Sequence, residues 1–440
     1  MTMGIIGCFL AFVIVIFLVY KNWSVLVAGL IGAIICIAAN GLPLWESIND
    51  IYIVKMVGFI GQFFLIYLFG CIQAQIYSRS GAALSIASSI TSWIKIDHMS
   101  QQKKQIFAML ILTIIGTVLA YGGIIVTVVI ILLYPISLTI LEKADIPKKF
   151  VLGILANGTF TFALTGPGSP QTTNIVAMNF LGTSSTSGLV AGILGSIAEL
   201  VVTLFVLNTM INRARARGEH FAYHELDEVF SSIQKRPGFL MSIIPLLVVF
   251  VMFVGFKIRI EYSLAAGALL SLIMFWGHIE SYGVLTVLNY GAMNSINPLF
   301  TVGAIVGFAG IVTSTQAFTE IVNGIVHIPL PPVVVLIICV AITCALTGGS
   351  STGLLVCLPV MAPIFIDQLG LDLELIHRVS TYAGTILDTL PYSGSILMLL
   401  PVCHMKLKEV YPAMFVTTVL STLAGTVVIA VVMSLFPMLP

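Results

Sequence analysis

Charge is what this chain has least of: 19 Lys and Arg and 18 Asp and Glu among 440 residues, or 8%, against about 25% in a soluble domain. A chain so poor in charge cannot cover itself with a solvated surface, so it reads as a polytopic protein of a lipid bilayer. The net charge of +1 offers nucleic acid nothing to hold. Cysteine is present but unpatterned. Cys8, Cys36, Cys71, Cys339, Cys344, Cys357 and Cys403 stand singly in apolar stretches. With no CxxC and no Cys/His cluster, neither a disulfide framework nor a metal site is implied, and these residues read as small apolar filler. No Ser/His/Asp set and no nucleotide-binding loop occurs, so the chain is not read as an enzyme and no cofactor is expected. The apolar stretch from Gly4 to Tyr20 has no basic residue before it and no small-residue cleavage site after it. It is expected to be a retained first helix with its N-terminus outside.

Apolar sequence is what the chain has in excess, with 59% hydrophobic residues and a mean hydropathy of +1.11. Most charge-poor stretches are near the roughly 20 residues that one crossing needs. Residues 106–141 and 328–366 have no charge and are too long, and each has a soft centre: AYGG at 120–123 and LTGGSSTG at 346–353. Lys103 and Lys104 before the first stretch, and Lys143, Lys148 and Lys149 after it, put both its ends in the cytoplasm. Two crossings or a re-entrant hairpin satisfy this, and the glycine-rich centre favours the hairpin. The second stretch is flanked by His327, Asp367, Asp372 and Glu374, which suggests entry from outside. The fold class is all-α and polytopic, with about ten transmembrane helices plus two re-entrant hairpins. One order of elements recurs: two helices, an interfacial stretch (44–55 and 279–296), a helix, a hairpin, a broken helix and a final helix. Each half has an odd number of crossings, so the halves are expected to be inverted repeats, 1–211 and 239–440, joined by a cytoplasmic linker, 212–238.

The two broken helices carry the functional reading. TFALTGPGSPQTTN (161–174) places Pro167, Pro170, Gly166 and Gly168 between apolar flanks, and LDTLPYSGS (387–395) repeats the device around Pro391 and Gly394. Proline removes a backbone donor, so each helix stops and restarts. With the two soft centres this makes four breaks that an inverted repeat can bring together near the membrane midplane. There, half-helix N-termini bind an anion without a buried Lys or Arg, and hydroxyls serve a carboxylate and substrate hydroxyls alike. The candidate substrate-binding residues are Gly122 and Gly123 at the first break, and Thr165, Gly166, Ser169, Thr172, Thr173 and Asn174 at the second. At the third they are Thr347, Gly348, Gly349, Ser350, Ser351 and Thr352, with Ser393 at the fourth. Gly188, Gly192 and Gly195 share one helix face and read as close helix packing.

Two acids fall inside apolar sequence, where a carboxylate is costly and functional by default: Asp388 in the last break, and Glu199 one turn beyond Gly195. Each is a candidate proton carrier. The alternatives are a cap on the following half-helix for Asp388 and a structural hydrogen bond for Glu199.

CALTGGSSTGLLVCLPVMAPIFID (344–367), HRVSTYAGTILDTLPYSGSILMLLPVC (377–403) and TFALTGPGSPQTTNIV (161–176) resemble the gluconate permease (GntP) family, nearest its 3-hydroxybutyrate permease branch. The resemblance implies proton-coupled symport of a small hydroxycarboxylate by a multi-pass protein of a bacterial inner membrane, as a monomer or a homodimer. A cation/proton antiporter or a Na-coupled carboxylate transporter on a related inverted-repeat fold is the alternative.

Overall fold

The computed structural model describes residues 2–21, 23–93, 99–225, 236–320, 329–391 and 393–436. His327 and residues 226–235 of the expected linker lie outside the described residues. Among the described residues the chain is helical throughout, with no strand. The elements are α1 (Thr2–Tyr20), α2 (Val25–Ala39), α3 (Leu44–Ser80), α4 (Ala82–Trp93), α5 (Gln101–Tyr121), α6 (Val126–Lys143), α7 (151–165), α8 (Thr172–Leu181) and α9 (Leu189–Ala216). After the linker follow α10 (Phe239–Gly255), α11 (Ile260–Met274), α12 (Val284–Thr313), α13 (Pro332–Thr347), α14 (350–368), α15 (Leu373–Ile386), α16 (Gly394–Cys403) and α17 (Leu407–Leu435).

Five helices are long and apolar enough to cross a membrane (α3, α5, α9, α12 and α17), and two bent pairs bring this to seven if each is one span. The bent pairs are α11 with Trp276–Tyr282, at 72°, and the two halves of α14, at 55°. The other apolar stretches form shorter helices, because Pro and Gly divide them. The interfacial stretches expected at 44–55 and 279–296 take a different form. The first is the beginning of the single 37-residue helix α3, held in register by π-helical turns at Ser47–Ile53. In the second, α12 already begins at Val284 and runs for 30 residues. At about 1.5 Å per residue both helices exceed the roughly 30 Å of bilayer hydrocarbon, so part of each extends beyond one crossing.

The described parts of 106–141 and 328–366 each fold as a pair of helices joined by a short turn, α5–α6 and α13–α14. α13 starts on Pro332 and ends on Gly348, whose φ of +69° lets the amides of Gly348 and Gly349 turn back to Ala345 and Cys344. α3 and α12 make the most extensive helix contact, and α9 lies along α17. The two helices that lead into the breaks are the innermost. In α7 every residue from Val151 to Thr161 is buried, and in α15 every residue from Leu375 to Ile386. Asp372 caps α15 by accepting from the amides of Glu374 and Leu375, at 2.8 and 3.3 Å.

Candidate functional site

The first break is tied down on one side and open to a partner helix on the other. α7 ends at Thr165, and Gly168 (φ +75°) turns the chain so that its amide reaches the Ser185 carbonyl at 2.8 Å. Gln171 Nε2 donates to the carbonyls of Ala120 (2.7 Å) and Ile124 (3.1 Å), and Tyr121 Oη donates to the Pro167 carbonyl at 3.1 Å. These bonds tie the break to the α5–α6 turn from both sides. The turn's own glycines face away from the hydroxyl residues. A Cβ on Gly122 would lie 2.5–2.9 Å from atoms of Leu246, and Gly123 abuts Leu264 and Val249. Gly122 and Gly123 thus admit α10 and α11 at close range.

On its other side the break opens into α8, whose N-terminus meets that of α14. Thr172 Oγ1 lies 2.6 Å from Ser351 Oγ, and Thr173 Oγ1 lies 3.1 Å from Ser350 Oγ and 3.2 Å from Ser351 Oγ. Residues about 180 positions apart thus form one cluster of four hydroxyls. The N-cap residue of α8, Gln171, does not cap with its side chain, and that of α14, Gly349, has none, so both N-termini present partial positive charge to groups from elsewhere. Asp388 is 5% exposed and faces the hydroxyl and the amide of Ser350. It therefore stands at the N-terminus of α14, a different helix from the one that follows it in sequence. Its Oδ1 has no hydrogen-bond partner. Ser393 Oγ donates to the Gly348 carbonyl at 3.3 Å, setting the start of α16 beside the α13–α14 turn. Thr352 is buried in the first turn of α14. The four breaks thus touch in series: 120–124 on 167–171, 172–173 on 350–351, and 388–393 on 348–350.

A buried cation, Arg378, stands beside the first break. Its side chain is fully buried and ends on three backbone carbonyls. Nε and Nη2 donate to Ser187 O at 2.9 and 2.7 Å, Nη1 to Thr165 O at 2.8 Å, and Nη2 to Ser185 O at 3.3 Å. The guanidinium is a cation at the C-terminus of α7, where the helix dipole favours one. Gly188 and Gly192 make room for it: a Cβ there would lie 2.9 Å from Arg378 Cβ and 3.3 Å from Arg378 Cδ. Close packing is therefore what the glycine face of α9 provides. His377 is equally buried, with Nε2 2.8 Å from Asn174 Oδ1 and Nδ1 2.6 Å from Thr183 Oγ1. Asn174 Nδ2 donates to Ser169 O and Ser185 O, so its Oδ1 is an acceptor and His377 carries a proton on Nε2.

Several candidates are thereby committed to the frame. Asn174 fastens α8 to α15, Ser169 Oγ donates to the Ala163 carbonyl, and Thr347 Oγ1 returns to Thr343 O at 2.9 Å. Gly166 lies under the Tyr121 hydroxyl. Thr165 Oγ1 is 2.9 Å from Thr161 O and 3.1 Å from Glu199 Oε2. Glu199 is fully buried behind the break, with Oε1 unpartnered. Thr165 therefore joins Glu199, through its hydroxyl, to Arg378, through its carbonyl. Arg378, His377 and Gln171 were missed from sequence. The signal was there for Arg378: a helix capped at Asp372 places residue 378 in its second turn, at the start of a charge-poor stretch.

A helical chain with discontinuous inner helices, five or more membrane-length spans and a polar junction buried among its breaks is a multi-pass membrane permease. The sequence comparisons name its kind. The family model for GntP family permeases matches residues 3–289, and the chain belongs to that family, whose members are transporters and not enzymes. An uncharacterized transporter of Bacillus subtilis, YxjC, is similar at 25% identity, the match covering 98% of each chain. An uncharacterized transporter of Haemophilus influenzae is similar at 23% identity over 89% of each. The crystal structure of the Alcanivorax borkumensis YdaH transporter, described as having an unusual topology, aligns with a TM-score of 0.55 over 88% of this chain and 89% of that one, at 14% identity. That likeness is one of fold alone.

Proposed function

We propose that this permease is a secondary-active, proton-coupled symporter of a small hydroxycarboxylate, of the 3-hydroxybutyrate or gluconate kind, in a bacterial inner membrane. The observation that carries the reading is the meeting of two helix N-termini, α8 and α14, through Thr172, Thr173, Ser350 and Ser351, with Asp388 at its edge. The substrate carboxylate takes the first amides of α8 and those that follow Ser350 in α14, and the hydroxyls turn their protons toward it and toward the substrate's own hydroxyl groups. Coupling follows from charge. Asp388 and the substrate compete for the N-terminus of α14. Two carboxylates about 5 Å apart repel by about 3 kcal/mol at an effective dielectric of about 20. A proton on Asp388 removes that repulsion, so anion and proton bind together. Glu199, one hydroxyl away from the first break, is the second candidate for the proton. The element order supports two inverted repeats, 1–211 and 239–440, whose hairpins enter from opposite faces, and the assembly is a monomer or a homodimer.

The test is transport by proteoliposomes of labelled 3-hydroxybutyrate and gluconate. Asp388→Asn keeps the shape and removes the titration. It is expected to exchange substrate at equal concentrations on both sides, yet to lose accumulation when the outside is made acidic. Accumulation that survives in Asp388→Asn and fails in Glu199→Gln moves the proton to Glu199. Accumulation that survives in both and requires Na⁺ replaces the proton by Na⁺.

A further inference from the structure

We propose that Cys8 and Cys36 are a redox-active dithiol that closes reversibly to a disulfide between α1 and α2. These cysteines lie in a bundle remote in sequence from the breaks. They belong to the core that α1 and α2 make with α12, and both are buried, at 2% and 0% exposure. Their sulfurs are 3.5 Å apart across two different helices. A disulfide bond is about 2.05 Å long, so the sulfurs need to close by only about 1.5 Å, within the reach of side-chain rotation if the two Cα atoms are already near.

The backbones are near because α1 and α2 meet along small residues. A Cβ on Gly7 would overlap the Cβ of Ala39, and one on Gly4 would lie 2.5 Å from Asn40 Oδ1. Larger residues at these positions would hold the helices apart and the sulfurs with them. The surroundings are polar and convergent. Asn40 Nδ2 donates to the Cys36 carbonyl at 2.9 Å and lies 3.6 Å from Cys8 Sγ and 3.8 Å from Cys36 Sγ. Thr315 Oγ1, beyond the end of α12, lies 3.7 Å from Cys8 Sγ. The Asn40 amide is a hydrogen-bond donor that stabilises a thiolate as it forms, while the Thr315 hydroxyl, which donates to the Val312 carbonyl at 2.7 Å, stands as an acceptor for the Cys8 thiol. Cys36 is in the last turn of α2 and Cys8 in the second turn of α1, close to the helix ends that a small reagent reaches first.

The step is thiol–disulfide exchange, with a small disulfide or diazene as the two-electron oxidant. One thiol loses its proton and attacks the oxidant, giving a mixed adduct. The second thiolate attacks the first sulfur, the Sγ–Sγ bond forms, and the reduced oxidant leaves with both electrons and both protons. The product fixes α1 to α2 by a covalent bond, and a dithiol reductant reverses it.

The full chain in proteoliposomes is treated with diamide, denatured in the presence of N-ethylmaleimide and weighed intact. The expected result is that two of the seven thiols escape alkylation, that a Cys8–Cys36 cross-linked peptide is recovered, and that dithiothreitol before alkylation restores both. Cys8→Ser and Cys36→Ser each leave every remaining thiol alkylated after diamide, while Cys71→Ser still loses two. Full alkylation of the wild type after diamide, or loss of two thiols that persists in Cys8→Ser, overturns the proposal.

Discussion

The turn of the first hairpin, 122–125, and that of the second, 348–349, both rest on a left-handed glycine, Gly123 (φ +90°) and Gly348 (φ +69°), but they meet different neighbours. The first is closed. Gln171 and Tyr121 tie it to the break, its glycines are covered by Leu246 and Leu264, and no hydroxyl from another element reaches it among the described residues. Its far end is fastened too: Gln101 donates to the Ala144 carbonyl at 2.6 Å, and Asp145 receives Arg215 and His220 from the start of the linker. The second turn leads straight into Ser350 and Ser351, which face Thr172 and Thr173. Two elements of the same outline thus do different work. One props the break from behind, and the other, under the proposed function, supplies half of the anion site. The repeated order of helices says where the breaks fall, and only the side chains say which break holds a ligand.

The largest effect expected from disturbing this arrangement lies at the buried cation beside the first break. Arg378→Met removes the donors that Thr165, Ser185 and Ser187 share. The Ser185 carbonyl keeps the Gly168 amide and Asn174 Nδ2, but leaving the Thr165 and Ser187 carbonyls without those donors costs about 1–3 kcal/mol each. The variant is expected to lose most of its folded yield and its cooperative thermal transition, and Arg378→Lys to recover only part of either. Normal melting of Arg378→Met would show that the carbonyls find other partners.

A glycine pair sharpens the contrast between the turns. Gly122→Ala drives a Cβ into Leu246 at 2.5–2.9 Å, which costs about 1–3 kcal/mol through overpacking, so the melting temperature falls. Gly349 has an ordinary extended φ of −170°, and its added Cβ meets only Thr352 Oγ1, at 3.7 Å. Gly349→Ala is expected to melt like the wild type and to bind substrate less tightly. The reverse pattern would exchange the roles of the two hairpins.

The smallest effect is at the base of the first hairpin, outside the membrane. Burial pushes the Asp145 carboxyl up, but hydrogen bonds from His220, the Phe221 amide and Arg215 outweigh it and hold the group below its ordinary value. A carboxyl depressed by folding lends stability that is present above its unfolded value and is lost as pH falls through its folded one. With 31% of its side chain exposed, the contribution is screened and amounts to about 1 kcal/mol or less. Asp145→Asn is expected to melt slightly below the wild type at neutral pH. The gap should shrink as the pH is lowered through the carboxylate range, and a gap independent of pH would assign it to packing.

Much of this was legible in the sequence because proline and glycine act locally. Pro245, Pro359 and Pro412 sit inside helices, but Pro167, Pro170 and Pro391 stand with nearby glycines and stop theirs, so the breaks could be read one at a time, and hydroxyls beside a break are natural donors. What the sequence could not supply was distance. That Thr172 and Ser351 could meet was expected, but which hydroxyls pair was not legible. Asn174 and Ser169 looked like ligands, but they spend their polar atoms on His377 and on backbone carbonyls. Arg378 sat at the edge of a charge-poor stretch and passed for a flanking charge. Its burial depends on Gly188 and Gly192, nearly two hundred residues earlier, which leave room for it. Gln171 was one polar residue in a polar run until the α5–α6 turn came within reach.

The central claim is that one anion is held between α8 and α14. Its most direct test is the apparent affinity for the transported acid in Thr172→Val, Ser351→Ala and the double variant. A lost hydroxyl donor to a carboxylate is worth about 1.5–3 kcal/mol, or roughly 10- to 150-fold. Because the two hydroxyls are 2.6 Å apart and serve the same anion, the double variant should lose less than the product of the single losses. Affinities within about twofold of the wild type in all three variants would place the acid elsewhere.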